Sequence, residues 1–507
     1  MKQLINHYKA KFSPLQQLLL LGFLVRLVAV FFSKGFGWSD DHFLIIETAS
    51  SWADGYTNRW FPSERFPDQV PQGHALLYIG IHYYIFSFLN FIGWHEPQSR
   101  MTFIRLIHAL WSLLIIYYGY KIAEKSSGKK VAWYTGIFLA FFWFMPFISV
   151  RNLVEFVCVP AILAAIWQLM QDDNKSKRFF YAGLWLGFAF SVRFQTTFIT
   201  AGIGVALLLQ RTSFKQLSTF IVGFLVLVFF SQVVVDLVIW HRPFAEFSAY
   251  VQYNLDNATN YGVDVWHMYP DLILGLLIPP LSILLFAGYF VSWKKSPFIF
   301  WSVLFYLAFH IYFPNKQERF IMTVLPLIII SGTEGMFSLY WKFYKRIPKN
   351  LFRVCKIFVV SINLILLPIL SVSYSKRHRV ESMTWFYLND RNARFMLEDS
   401  NKENDVLIPP LYYAGHYFYT IGINKTYTPD SALKAVKEMS IVERPSYVIF
   451  WQAEKIDARV DSLKKRFPKM EYVTTIEPSL IDKTLYFLNP LNDNHQAFIY
   501  RLNYQEN

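Results

Sequence analysis

Leu18-Leu-Leu-Leu-Gly-Phe-Leu-Val-Arg-Leu-Val-Ala-Val-Phe-Phe32 is followed within a few residues by Trp38-Ser39-Asp40-Asp41-His42-Phe43. The first segment, counted from Pro14, is long enough to cross a hydrocarbon core at about 1.5 Å per residue. The second sets two adjacent carboxylates just beyond its end. A signal-peptide core would look similar, but Lys34-Gly35-Phe36-Gly37-Trp38 offers no small-residue cleavage site and more apolar runs follow. The stretch is therefore expected to be a retained first span.

Working outward, apolar runs of this kind recur as far as Leu370. Across the 507 residues only 17% are charged and 54% hydrophobic, so the excess apolar content has lipid as its natural solvent. About eleven transmembrane helices are expected. They lie near 14–33, 100–120, 131–149, 152–171, 178–192, 195–210, 217–239, 270–292, 298–313, 319–341 and 353–372. The net charge of +14 does not indicate nucleic acid, because the cations sit in alternate short linkers. These hold Lys121, Lys125, Lys129 and Lys130; Lys175, Lys177 and Arg178; Arg211 and Lys215; Lys294 and Lys295; and Lys342, Lys345, Arg346, Lys349 and Arg353. With Lys2, Lys9 and Lys11, that alternation places the N-terminus in the cytoplasm. Gly73 to Trp94 is apolar, but a span there would invert every later loop, so an interfacial or re-entrant helix is expected. Cys158 and Cys355 both lie in apolar segments and form neither a disulfide framework nor a metal site.

Beyond Leu370 the chain turns polar. Asp405-Val-Leu-Ile and Tyr447-Val-Ile-Phe read as strands, and Asp430 to Ser440 and Lys455 to Phe467 as helices. The expected architecture is an all-α polytopic membrane domain over 1–372, with 34–99 as an extracytoplasmic loop, and a small extracytoplasmic α/β domain over 373–507.

On this topology the unusual polar groups share the outer face. Asp40 and Asp41, with Glu47 a turn or two later, fit either helix capping or catalysis. Arg151-Asn152 and Glu155 share one helical face, and Arg151 would otherwise be a snorkelling anchor. Arg193-Phe194-Gln195 interrupts an apolar stretch, as a boundary marker also would. The loop from Asp236 to Tyr269 mixes amides and aromatics, among them Tyr253-Asn254, Tyr261-Gly262 and Trp266-His267-Met268-Tyr269. Such a mixture suits sugar rings and equally an interfacial aromatic belt. In Phe313-Pro-Asn-Lys-Gln-Glu-Arg-Phe320, Lys316 and Arg319 are cations on the disfavoured side. A lipid phosphate would account for them, and so would an ion pair through Glu318.

Taken together these segments resemble glycosyltransferase family 22, the dolichyl-phosphate-mannose-dependent mannosyltransferases of the GPI-anchor and N-glycan pathways, which have the GT-C fold. That family's first loop reads His-Pro-Asp-Glu-x-Phe-Gln followed by a Glu. Asp40 and Asp41 stand at its acids, Phe43 at its Phe and Glu47 at its later Glu; Trp60 resembles a loop Trp. Arg151, Asn152 and Glu155 resemble its Arg-Thr-x-x-Asn-Ser-x-Glu, and Arg193-Phe194-Gln195 its Arg-Pro-Thr. Asp236, Asn254, Tyr261, Trp266, His267 and Tyr269 follow its long-loop pattern. Asn315-Lys316-Gln317-Glu318-Arg319-Phe320 is similar to its His-Lys-Glu-x-Arg-Phe. The resemblance covers most of 20–345, with a weaker echo from Pro409 to His416. Trp38-Ser39 in place of His-Pro, Leu44 in place of Gln, Asn315 in place of His and Gln317 in place of Glu are departures.

The resemblance implies an inverting transferase. It would move a hexose, with mannose the expected sugar, from a polyprenyl-phosphate donor to a glycan or glycolipid acceptor. Asp40 or Asp41 would be the base. Glu47, Arg151, Asn152, Glu155, Arg193, Gln195, Asn254, Tyr261, Trp266, His267, Tyr269, Lys316, Glu318 and Arg319 would bind substrate. The scheme uses no cofactor and no assigned metal ligand; its partners are the lipid donor, the acceptor and membrane lipids, with no nucleic acid. Short loops favour a bacterial inner membrane, an undecaprenyl carrier and a periplasmic active site; a eukaryotic homologue would sit in the endoplasmic reticulum membrane. Two other readings stand beside this one: a flippase or transporter of lipid-linked sugars, and an envelope polysaccharide ligase or polymerase. The topology makes a first prediction. Single cysteines placed in 34–99 and in 373–507 should both label from the non-cytoplasmic side with an impermeant maleimide; labelling of one set only from the cytoplasm would contradict it.

Overall fold

The computed structural model describes residues 12–56, 60–62, 68–173, 175–260, 262–343, 348–403, 406–488 and 496–504. Tyr261, Lys2, Lys9, Lys11, Lys345, Arg346 and Asp405 lie outside the described residues. The chain is an integral membrane protein made mostly of helices. Pro14–Phe32, Pro97–Ser127, Phe214–Trp240 and Lys349–Ser371 are each long and apolar enough to span, and Met268–Leu276 with Leu281–Lys294, bent by 118°, makes a fifth if the pair is one crossing. Helix occurs at each remaining expected span, but in pieces too short or too polar to count as spans by length and composition. By length and composition, four to five spans are found among the described residues, against the eleven expected. Breaks divide two of the others, between Lys129–Phe141 and Met145–Ser149 and between Val154–Val157 and Val159–Leu169.

The chain forms two compact units. The first comprises Met1–Phe31, Thr57–Ile81 and Ile104–Val372. Its helices meet through small residues, which let backbones approach where lipid gives no hydrophobic drive to associate. A Cβ on Gly183 would overlap the Phe220 carbonyl, and one on Gly335 would overlap the Gly288 carbonyl. Arg26, fully buried in the first span, donates to Ser112 Oγ at 2.9 Å and to the carbonyls of Gly22, Leu139 and Ala140 at 3.1, 3.2 and 3.4 Å. It thereby satisfies the last carbonyls of Lys129–Phe141, which a helix end otherwise leaves orphaned. Asn363 bridges the same break, accepting from Trp143 N at 2.9 Å and donating to Phe141 O at 2.8 Å.

The second unit comprises Phe32–Tyr56, His82–Phe103 and Ser373–Asn507. Its sheet holds β1 (Phe395–Glu398), β2 (Ile421–Ile423), β3 (Tyr447–Trp451), β4 (Met470–Ile476) and β5 (Ala497–Leu502), in the order β2-β1-β3-β5-β4. β1 runs parallel to β2 and β3, while β5 is antiparallel to β3 and β4. Pro429–Glu438 and Ile456–Lys464 cover the core of Met396, Val448, Phe450, Val460 and Leu463. Tyr447–Trp451 matches its expected strand. Val406–Ile408 does not, because its backbone groups turn to side chains: Leu407 N donates to Asp399 at 3.3 Å, and Ile408 O accepts from Arg379.

The residues that follow the first span belong to this second unit by contact. Ser33 Oγ donates to Ser373 O at 3.2 Å, Ser375 N to Lys34 O at 3.1 Å, and Gly35 forms a parallel bridge with Ser375. At Gly35 φ is +72°, and a Cβ would overlap the Ser375 carbonyl. Close packing of the membrane helices predicts the second outcome. Gly335→Val should lower the thermal stability of the purified protein by about 1–3 kcal/mol through overpacking. Gly204→Val, where nothing lies within 4 Å, should stay within about 0.5 kcal/mol of the parent. Equal stability of the two variants would contradict this packing.

Candidate functional site

Three helix breaks in the first unit bring charge together. Leu153 is extended and starts the short helix Val154–Val157, so Glu155 sits in its first turn. Arg193 is extended (φ −145°) where Ser176–Val192 gives way to a 3-10 turn, Phe194–Thr196. Arg319 lies on the 3-10 segment Glu318–Thr323 that leads into Leu325–Phe343. A guanidinium nitrogen of Arg193 stands 2.9 Å from Glu155 Oε1, and Arg319 Nε stands 3.7 Å from the same oxygen. Glu155 is fully buried. A carboxylate cannot remain ionised there without paired cations.

The surrounding contacts fix both arginines. Arg193 Nε donates to Gln195 Oε1 at 3.1 Å, and Arg319 Nε to Gln317 Oε1 at 2.7 Å. Both guanidiniums lie over the Phe320 ring, at 5.3 and 5.8 Å from its centroid. Thr323 Oγ1 donates to Glu155 O at 2.9 Å, and Tyr306 O–H to Phe320 O at 3.0 Å. Gln195 bonds to the phenol of half-buried Tyr250, whose pKa is pushed upward by desolvation. Arg151 and Asn152, both buried, occupy the turn just before this helix, with the Arg151 guanidinium 4.5 Å from the Phe147 centroid.

A second group joins the long loop to the 315–318 turn. Val263 bridges Asn315, Lys316 N donates to Gly262 O at 3.0 Å, and Gln317 N donates to the Tyr269 hydroxyl at 3.2 Å. Lys316 Nζ donates to the carbonyls of Phe313 at 2.7 Å and Ile311 at 3.1 Å. It therefore serves the end of Pro297–Tyr312. Trp266 and Glu318 are exposed, and exposed His267 pairs with Asp271 at 2.6 Å. Asn254 donates to Tyr250 O at 2.8 Å, a bond within its own helix.

Sequence reasoning passed over Glu246. Its carboxylate accepts from Gly73 N at 2.7 Å, His74 N at 3.1 Å and Trp240 Nε1 at 3.0 Å, so it fastens the 73–74 turn to this loop. Burial pushes its pKa up to about 7, while the three donors act in the opposite sense. Asp236, buried, accepts from Glu246 N at 3.2 Å and so holds the start of Ala245–Asp256. Little in the local sequence around Glu246 marks it, because two of its three donors, Gly73 and His74, come from far along the chain.

The acids of the first loop lie in the second unit. Asp40 is exposed and Asp41 buried. His42 is sandwiched between Phe36 and Tyr413, with centroids 4.4 and 5.5 Å away. Its Nε2 lies 3.3 Å from Glu47 Oε1, which also accepts Tyr412 N–H at 2.9 Å. Lys376 Nζ donates to Ser39 Oγ at 3.1 Å and lies 4.7 Å from the Phe36 centroid. The acid-bearing turn is thus held by an aromatic and hydrogen-bonded bed drawn from 373–413. Burial lowers the His42 pKa, with Glu47 opposing.

The Alg9-like mannosyltransferase family matches over residues 18–420. No curated protein matches the chain. Among solved structures, ArnT from Cupriavidus metallidurans bound to undecaprenyl phosphate is 12% identical; the likeness covers 95% of this chain and 97% of that one, with a TM-score of 0.61. The same enzyme in its apo state gives a TM-score of 0.57 at 12% identity and the same coverage. The arabinofuranosyltransferase AftD from Mycobacteria is also 12% identical, covering 98% of this chain and 40% of that one, with a TM-score of 0.51. The fold is that of the GT-C glycosyltransferases.

The arginine pair carries the third prediction. A lysine keeps the charge of Arg319 but cannot reach both Gln317 and Glu155 with a rigid fork. Arg319→Lys should lower glycosyl-transfer turnover at saturating donor roughly tenfold or more, about 1.4 kcal/mol of transition-state stabilisation. Unchanged turnover with only a raised donor KM would show that the residue binds ground and transition states alike.

Proposed function

The chain belongs to the Alg9-like mannosyltransferase family, and on that footing we propose that it moves a hexose, with mannose the expected sugar, from a polyprenyl-phosphate donor to a glycan or glycolipid hydroxyl, inverting the anomeric centre. One observation carries the reading: two guanidiniums from separate helix breaks converge on one buried carboxylate, so these three side chains sum to one positive charge. Such a centre suits a leaving phosphate, which gains negative charge as the glycosidic bond breaks. ArnT, of the same fold, has been solved with undecaprenyl phosphate bound, which supports a polyprenyl phosphate as the carrier here.

The acceptor hydroxyl is a weak nucleophile and needs a base within hydrogen-bond reach. Exposed Asp40 is open to an acceptor and Asp41 is buried, which favours Asp40 as that base. The hydroxyl oxygen attacks the anomeric carbon from the face opposite the phosphate. Its proton passes to the Asp40 carboxylate, and the electron pair of the broken bond leaves with the phosphate. Arg193 and Arg319 stabilise that charge; Tyr269 and the 262–269 loop, with Asn254, Trp266 and His267, line the approach of the sugars. Active-site exposure on the non-cytoplasmic side fits the placement of basic linkers, and short loops favour a bacterial inner membrane.

A glycosyl-transfer assay in lipid vesicles with a polyprenyl-phosphate mannose donor tests the reading. Asp40→Asn should abolish transfer while the protein inserts and purifies normally, and Asp41→Asn should lose as much or less. Full activity in both variants would leave the acids only a charge role in the first helical turn, worth about 0.3–1 kcal/mol of stability. Export of the lipid-linked sugar without turnover would establish a transporter instead.

A further inference from the structure

The second unit ends its helical elements with Leu480–Leu488, a helix whose apolar side chains face away from the described protein. Leu480, Phe487 and Leu488 are 81%, 84% and 71% exposed. Their spacing of seven and eight residues puts them on one helical face. The opposite side is anchored. Asp482, buried, accepts from Ser479 Oγ at 2.8 Å and from the backbone N–H of Arg377 at 3.4 Å. Side chains this apolar on an unsupported face need an apolar partner.

The anchor point identifies that partner. Arg377 follows closely on the span Lys349–Ser371, and at about 3.5 Å per residue it can lie no more than about 20 Å from that span's end. Within the same unit, the residues leaving the first and last spans are zipped together through Ser33–Ser373, Lys34–Ser375 and Gly35–Ser375. Asp482 is tied directly to the end of this zipper. The helix is thereby tethered to the residues that directly follow two spans in the chain. Exposed Arg377 flanks it, beside Lys483, which pairs with Glu477 at 3.0 Å, and a cation beside an apolar helical face suits lipid headgroups.

We propose that Leu480–Leu488 is an interfacial anchor that inserts Leu480, Phe487 and Leu488 into the outer headgroup–acyl boundary. It holds the unit that carries the Asp40–Asp41 turn at a fixed depth against the lipid surface. The occupant of this face is membrane lipid, and the anchor is independent of the sugar chemistry.

The test uses the full-length protein with Cys158 and Cys355 replaced by alanine, reconstituted in phosphatidylcholine–phosphatidylglycerol vesicles. A nitrobenzoxadiazole label is placed on Phe487→Cys, on Leu480→Cys and, as a control, on Val442→Cys, where the native side chain is 87% exposed. The labels at 480 and 487 should emit at shorter wavelength than the control and lose most of their emission to lipids carrying a nitroxide at a shallow acyl position. The Val442 label should respond to aqueous iodide only. Iodide-accessible, lipid-insensitive emission at both 480 and 487 would overturn the anchor. Protection that rises with protein density in the vesicle, without nitroxide-lipid quenching, would assign the face to a second copy of the chain and also overturn it.

Discussion

A carboxylate with no access to solvent is tolerated only when fixed cations and donors replace the water it has lost. Glu155 imposes that condition on the membrane unit. Its partners cannot come from its own short helix, so two other helices must break at Arg193 and Arg319 to deliver them. Each break then recruits its own support: Gln195 and Tyr250 around the first, Gln317, Phe320 and Thr323 around the second. Uninterrupted helices would satisfy their own backbones better, but they would leave this centre unbuilt. The short helices of the membrane unit follow from the same trade between regular hydrogen bonding and a placed charge. Removing either arginine's charge would leave a buried carboxylate partly unpaired, a change of about 3–5 kcal/mol for a broken buried pair.

The second unit solves a different problem. An acid pair in a free loop would sample many positions, and the catalytic role proposed for it needs one. Here the turn is fixed from behind. Phe36 and Tyr413 clamp His42, Glu47 takes both His42 and the Tyr412 N–H, and Lys376 holds Ser39. The C-terminal α/β segment is therefore structurally continuous with the first loop, although several hundred residues separate them in sequence. Buried Glu398 and Arg459 tie the sheet beneath with bonds of 2.7 Å to Arg459 Nε and 2.9 Å from Arg459 to the Glu398 carbonyl.

Much of this was legible in the sequence because membrane burial writes a strong signal. Runs such as Leu18–Phe32 and the alternating lysines require only composition and order. The candidate residues Glu155, Arg193, Gln195 and Arg319, chosen as polar interruptions of apolar stretches, do converge. What pattern could not reach is pairing across the chain. Lys316 looked like a phosphate ligand, but helix Pro297–Tyr312 takes its ammonium through the carbonyls of Ile311 and Phe313. Glu246 carried no signal, since Gly73 and His74 meet it only in the folded loop. Val406–Ile408 has the composition of a strand, yet Asp399 and Arg379 capture its backbone before a ladder can form. Helix lengths lie in the same class: hydropathy registers apolar content, while the breaks that shorten the helices depend on tertiary partners.

The central claim is that the centre around Glu155, Arg193 and Arg319 recognises a polyprenyl phosphate by its charge. Equilibrium binding of undecaprenyl phosphate to the purified protein, in competition with undecaprenol, measures this directly. The phosphate should bind and resist displacement by the alcohol, and its affinity should fall at least about tenfold, or 1.4 kcal/mol, when Arg193 and Arg319 are both replaced by glutamine. Equal affinity for the alcohol and the phosphate, unchanged in that double variant, would contradict the account.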